Sequence, residues 1–109
     1  MPPSKDRLHG TLDILILKTL SWGPRHGYAV ARWLEESTGS EIVVEEGSLY
    51  PALYRMEKRG LIEAEWGMSE LGRKAKFYSL TKLGRKHLQE ESADWQRFTK
   101  AVLRVLVST

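Results

Sequence analysis

Apolar residues crowd the stretch from Leu12 to Leu20, where Leu12, Ile14, Leu15, Ile16, Leu17 and Leu20 surround most of a helix rather than forming one stripe. The pattern predicts a helix from Thr11, as N-cap, to about Ser21, buried on more than one side. Gly23-Pro24 breaks it. A second helix follows over His26 to Ser37, with Val30, Trp33 and Leu34 facing inward. Ile42-Val43-Val44 suggests a minimal strand. A third helix is expected over Ser48 to Arg59, with Ser48 as N-cap, Pro51 in its first turn and Gly60 closing it left-handed. Its inner face carries Leu49, Leu53 and Met56, and its outer face Tyr50, Pro51, Tyr54, Arg55 and Lys58.

Alternation then replaces the helical period. Ile62, Ala64 and Trp66 share one side of an expected strand, Tyr78 and Leu80 one side of another. Residues Gly67 to Ala75 between them read as the long basic tip of a β-hairpin. Thr81 caps a last helix carried by the pattern to about Val107, roughly 39 Å at 1.5 Å per residue. Leu88, Trp95 and Val102 recur every seven residues, as do Phe98 and Val105, with Glu91 interrupting the seam. A helix this long exceeds what its own chain covers, so the seam predicts a homodimer through Leu88, Trp95, Phe98, Val102 and Val105, supported by Leu12 and Leu15 of the first helix.

Composition narrows the functions this fold could serve. The 109 residues suit one structural unit, with residues 1–80 as its main body and 81–109 as an expected dimerisation helix. The absence of cysteine excludes disulfides, thiolate metal sites and cysteine nucleophiles. His9, His26 and His87 are scattered without ligand spacing, so no metal is expected. Neither a phosphate-binding glycine loop nor a nucleophile elbow is present, and no catalytic residue or cofactor is expected. The polar N-terminus and the lack of a long apolar run give a cytoplasmic expectation.

Charge is uneven along the chain. From Ser48 to Lys86 nine Lys and Arg face four Glu, whereas Met1 to Gly47 is slightly acidic. A cationic middle points to an anionic polymer. Two tyrosines sharing an exposed helix face with two cations supply donors for phosphates and base edges. Ser48, Tyr50, Pro51, Tyr54, Arg55 and Lys58 are therefore the expected DNA contacts on the third helix, with Arg55 as base reader. Arg73, Lys74 and Lys76 are expected on phosphates from the hairpin. The turn carrying Arg25, His26 and Tyr28 offers a helix N-terminus to a phosphate. Glu45 and Glu46, just before the third helix, favour its dipole but oppose phosphate.

Three short helices, a hairpin and a long terminal helix make a mainly α (α+β) winged helix-turn-helix, with a two-stranded wing. Gly10-Thr11-Leu12-Asp13-Ile14-Leu15-Ile16-Leu17, Gly23-Pro24-Arg25-His26-Gly27-Tyr28, Gly47-Ser48-Leu49-Tyr50-Pro51-Ala52-Leu53, Trp66-Gly67, Arg73 to Thr81 and Gly84-Arg85 closely resemble the PadR family of bacterial transcriptional regulators. The likeness runs over nearly the whole chain, and its single C-terminal helix is similar to that of the smaller subfamily. The resemblance implies a dimeric repressor whose third helices enter successive major grooves of a pseudo-palindromic operator. It also leaves two roles for Trp95, beside Leu15 and Phe98: packing within the dimer interface, or stacking on a small planar hydrophobic effector, as a tryptophan at the corresponding place does in some relatives. One alternative is a protein-interaction module that binds DNA only nonspecifically. Another is a ligand-binding scaffold without a DNA role.

Overall fold

The computed structural model describes residues 5–108. The elements run α1 (Lys5–Leu20), β1 (Arg25–His26), α2 (Gly27–Ser37), α3 (Glu46–Lys58), β2 (Ile62–Met68), β3 (Lys74–Leu80) and α4 (Lys82–Leu106). The outer limits of the two expected segments, residues 1–4 and 109, lie outside the described residues.

Three helices and the base of a sheet share one core. α1 contributes Ile16, Leu17 and Leu20, α2 Val30 and Leu34, and α3 Leu49, Ala52, Leu53 and Met56. Leu61, Ile62 and Tyr78 close it from the hairpin. Each fully buried aliphatic side chain here is worth about 1.5–3 kcal/mol relative to exposure, which fixes α3 by its inner face and leaves its outer face free.

Helix starts differ from the sequence expectation. α1 begins six residues before Thr11, which stands inside the helix rather than capping it. The preceding polar turn has no apolar period to betray it, yet propagation onto an existing helix needs none. Likewise α3 starts at Glu46, after an extended Glu45 whose side chain makes no cap bond. Ser48 is therefore the third helical residue. Pro51 sits past the first turn, and lacking an amide hydrogen it leaves the Gly47 carbonyl without its usual helical donor. The C-terminus follows the expectation: Gly60, at φ 76°, donates to the Glu57 carbonyl at 3.0 Å while Leu61 donates to that of Met56 at 3.0 Å. This Schellman turn places Leu61 beside Met56 in the core.

Residues 42–44 form no strand. Left-handed Gly39 and Ser40 turn the chain, and the Ile42 amide donates to the Thr38 hydroxyl at 3.0 Å instead of to a neighbouring strand. The third strand is β1, which pairs with β3 through Arg25↔Tyr78 and His26↔Phe77, giving an antiparallel sheet of order β1-β3-β2. The wing strands also run further than expected. Trp66↔Lys76, Gly67↔Ala75 and Met68↔Lys74 are paired, which shrinks the loop to residues 69–73, an ordinary hairpin length. The Ser69 amide donates to the Arg73 carbonyl at 2.7 Å and the Gly72 amide to that of Ser69 at 2.9 Å, closing the tip. Ile62↔Leu80 and Ala64↔Tyr78 put the apolar positions on one face, as the alternation requires.

α4 leaves the hairpin at Thr81. The Thr81 hydroxyl accepts from the Gly84 amide at 3.0 Å and donates to the Gly60 carbonyl at 2.6 Å, while its amide donates to Leu61 at 3.1 Å. The start of α4 is thereby riveted to the end of α3. Leu88 of α4, with Leu12 and Leu15 of α1, packs against the core of this same chain. Beyond Lys100 the helix is exposed and stretches the molecule to 55 Å.

Candidate nucleic-acid interface

The core residues of α3 turn Tyr50, Pro51, Tyr54 and Lys58 outward, all exposed, with Ser48 near the helix start. Tyr50 is braced from behind. A Cβ on Gly27 would lie 2.9 Å from its ring, so the first residue of α2 is small enough for the tyrosine to rest against it. One turn on, the Lys58 ammonium lies 5.2 Å from the ring of Tyr54.

Arg55 is placed differently from its neighbours. Its Nη2 donates to Oδ1 of Asp13 at 3.3 Å, across 42 positions of sequence. Asp13 is 7% exposed, a carboxylate inside the apolar helix α1. The pair ties α3 to α1 and leaves the Arg55 side chain half-exposed. Sequence reasoning missed Asp13, although a lone carboxylate within an apolar run is a signal that a cation must meet it.

His26 is the N-cap of α2: Nδ1 accepts from the Ala29 amide at 3.2 Å, so that nitrogen carries no proton in this arrangement. Its ring stands edge-on to Phe77 at 5.4 Å and stacks near Tyr28 at 6.4 Å. Arg25 lies 5.8 Å from the ring of Trp33, which packs on Trp22 at 5.0 Å. Exposed Tyr28 lies under the guanidinium of Arg32, whose charge Glu36 and Tyr28 hold above its ordinary pKa.

On the wing, Lys74 lies 5.4 Å from the ring of Trp66, and Arg73 is exposed in the loop. Lys76 reaches Glu57 of α3 at 3.8 Å, half-buried. Beneath them burial pushes the Tyr78 phenol above its usual pKa, and the charges of Glu57 and Tyr50 add to this.

These groups frame one cleft of about 970 Å³ between the start of α2, β1 and the inner face of the wing. Arg25, His26, Tyr28, Tyr50, Arg73, Lys74 and Lys76 all line it. Ser48, Pro51, Tyr54, Arg55 and Lys58 do not, and stand on α3 outside it. Remote from the cleft, Trp95 and Phe98 of α4 are half-buried with ring centroids 5.6 Å apart. Val102 and Val105 are exposed beyond them. Among the described residues no group of three or more His, Asp or Glu side chains is placed to hold a metal, and no helix is long and apolar enough to cross a membrane.

The family model described as the Transcriptional regulator PadR-like family matches residues 16–90. The chain belongs to the PadR-like family. A PadR-like transcriptional regulator from Bacillus cereus shares its fold with a TM-score of 0.79 and 33% identity, covering 96% of this chain and 100% of that one. A transcriptional regulator from Clostridium thermocellum does so with a TM-score of 0.80 and 30% identity, covering 98% and 100%. An uncharacterised protein from Lysinibacillus sphaericus is 33% identical over 90 residues, 83% of either chain. The chain shares the winged-helix architecture of PadR-like transcriptional regulators, which bind DNA.

Proposed function

We propose that this PadR-like regulator is a sequence-specific repressor that works in the cytoplasm as a homodimer. α3 enters the major groove with Tyr50, Tyr54 and Lys58, and Ser48 and Pro51 lie at its entry. Arg55 uses the donors not given to Asp13. The wing cations Arg73, Lys74 and Lys76 and the turn Arg25, His26 and Tyr28 hold the flanking backbone. The observation that carries this reading is the convergence of the wing and the β1–α2 turn on the cleft beside Tyr50, although they lie in separate parts of the chain. Residues 1–80 then form the DNA-binding domain, and residues 81–109 supply the dimerisation helix within one structural unit.

Dimerisation through α4 is supported by its outer end, where Val102, Leu103, Val105, Leu106 and Val107 are exposed together. Leu88, Trp95 and Phe98 share the seven-residue seam of Val102 and Val105. A small planar hydrophobic effector stacking on Trp95 and Phe98 beside Leu15 releases the DNA. The half-buried ring pair favours this role.

Fluorescence anisotropy on the DNA upstream of the protein's own gene, with scrambled duplex as competitor across a salt series, tests the core of this reading. A preference of about 10³ or more over scrambled DNA is expected of a specific regulator. Binding lost equally to any competitor, by a protein that is still dimeric, would favour an interaction module instead. For the effector, a planar hydrophobic dye should quench tryptophan emission, and a Trp95→Ala variant that quenches normally would remove Trp95 from the pocket.

A further inference from the structure

Cations on this protein are held in two different ways. Arg32, Arg55, Lys76 and Arg97 meet the carboxylates of Glu36, Asp13, Glu57 and Asp94 at 2.8, 3.3, 3.8 and 3.5 Å. Lys18, Arg25, Lys58 and Lys74 lie instead over the rings of Trp22, Trp33, Tyr54 and Trp66, at 4.8, 5.8, 5.2 and 5.4 Å, while Arg32 has both a carboxylate and, at 5.8 Å, the ring of Tyr28. Among the described residues none of these four has a carboxylate within ion-pair distance. The difference matters for a polyanion. A carboxylate cancels the charge it positions, whereas an aromatic face positions a cation and leaves the charge whole. Part of the entropy of fixing a long side chain is thus lost before the partner arrives.

Three of the four cations held by a ring without a carboxylate belong to the interface described above: Lys58 on α3, Lys74 on the wing and Arg25 on β1. Lys18 does not, since it lies near the C-terminal end of α1. It is nevertheless joined to the others. The ring under it, Trp22, packs on Trp33 at 5.0 Å, and Trp33 both carries Arg25 and lines the cleft. Trp22 remains 58% exposed, so filling the core does not explain its size.

We infer that Lys18 and Trp22 extend the DNA-contact surface past the cleft and grip backbone phosphates flanking the operator. This rests on the DNA-binding reading. The Lys18 ammonium and the Trp22 indole N–H are both donors without an acceptor role, which suits phosphate oxygens. Continuity with Arg25 and the cleft favours a DNA strand over an acidic protein surface. Backbone contacts carry no sequence information, so this extension should change affinity and length dependence but not site preference.

Nested duplexes cut from the bound upstream DNA test it, comparing the shortest one that keeps specific binding with one extended by about six base pairs at each end. The parent should bind the extended duplex more tightly, and Lys18→Ala and Trp22→Ala should each lose about 3- to 10-fold on it while matching the parent on the short one. Lys18→Ala should also flatten the salt slope on the extended duplex by about one phosphate contact. Both side chains are exposed at the surface, and unchanged urea unfolding of the variants checks that the fold is intact. Parent-like binding of both variants to both duplexes overturns the inference and leaves specific binding standing. If no upstream duplex binds specifically, the repressor reading fails separately. The same variants on a 40-base-pair random duplex then decide the inference: a reduced salt slope supports it and an unchanged slope overturns it.

Discussion

Gly84 should be the least replaceable glycine in the protein. It lies in the first turn of α4, buried, and a Cβ there would overlap the Leu61 carbonyl oxygen and lie 3.2 Å from Leu80. The obstacle is backbone, so α4 itself must move. That movement strains the contacts fastening α4 to the end of α3: the Thr81 hydroxyl to Gly60 at 2.6 Å, the Thr81 amide to Leu61 at 3.1 Å and the Gly84 amide to Thr81 at 3.0 Å. Overpacking costs about 1–3 kcal/mol, and each loosened hydrogen bond about 1 kcal/mol. Alanine returns about 1 kcal/mol through its better helix propensity. Gly84→Ala should therefore lose about 3–5 kcal/mol, with a melting temperature lower by roughly 4 °C for each kcal/mol. Gly10 supplies the control. It is also helical, but nothing lies within 4 Å of a Cβ built on it, so Gly10→Ala should gain up to about 1 kcal/mol. Urea unfolding at one fixed protein concentration, followed by tryptophan emission, reads both variants. A Gly84→Ala protein as stable as the parent would refute the rivet between α3 and α4.

Three further outcomes follow from individual contacts. Asp13→Asn and Arg55→Gln should each lose about 1–2 kcal/mol, less than a fully buried pair because Arg55 is half-exposed; in the double variant the losses should fall short of additive by at least about 0.5 kcal/mol, as a double-mutant unfolding cycle would show. Tyr78 ionises above its ordinary pKa in the fold, so its contribution is intact below about pH 10 and declines as pH rises through the folded value. Tyr78→Phe should accordingly flatten the alkaline loss of stability between about pH 9 and 11, measured by urea unfolding. His26→Ala removes the acceptor for the Ala29 amide and should cost about 1 kcal/mol, with faster hydrogen exchange at that amide.

The helices and the wing were legible because burial imposes a period on sequence: 3.6 in α2 and α3, two in the hairpin. Their ends were less so. α1 starts a turn before its apolar period begins, and α3 starts two residues before the serine that looks like its cap. A good cap residue marks where a helix could start, and here tertiary packing decides where it does. β1 was illegible for another reason. Two polar residues have no alternation to read, and Arg25 and His26 become a strand only because the edge of β3 is there to pair with them. The Ile42–Val44 run shows the converse: β-branched residues without a free edge beside them stay irregular.

The proposed recognition face and the wing were visible as tyrosines and cations, but their charge was not additive along the chain. The surplus between Ser48 and Lys86 counts Arg55 and Lys76, whose charges are met by Asp13 and Glu57. One of those partners comes from the acidic first segment, 42 residues away, which no local count reveals. Asp13 nonetheless left a trace. A buried carboxylate that is neither paired nor protonated is costly, so its presence within Leu12 to Leu17 requires a cation from another element. α3 packs on α1 through its inner face and carries Arg55 at the margin of that face, which makes it the element able to supply one. The same pair explains why an arginine on the helix proposed to face DNA can serve the fold first: it ties α3 to α1 and so fixes the orientation in which Tyr50, Tyr54 and Lys58 are presented.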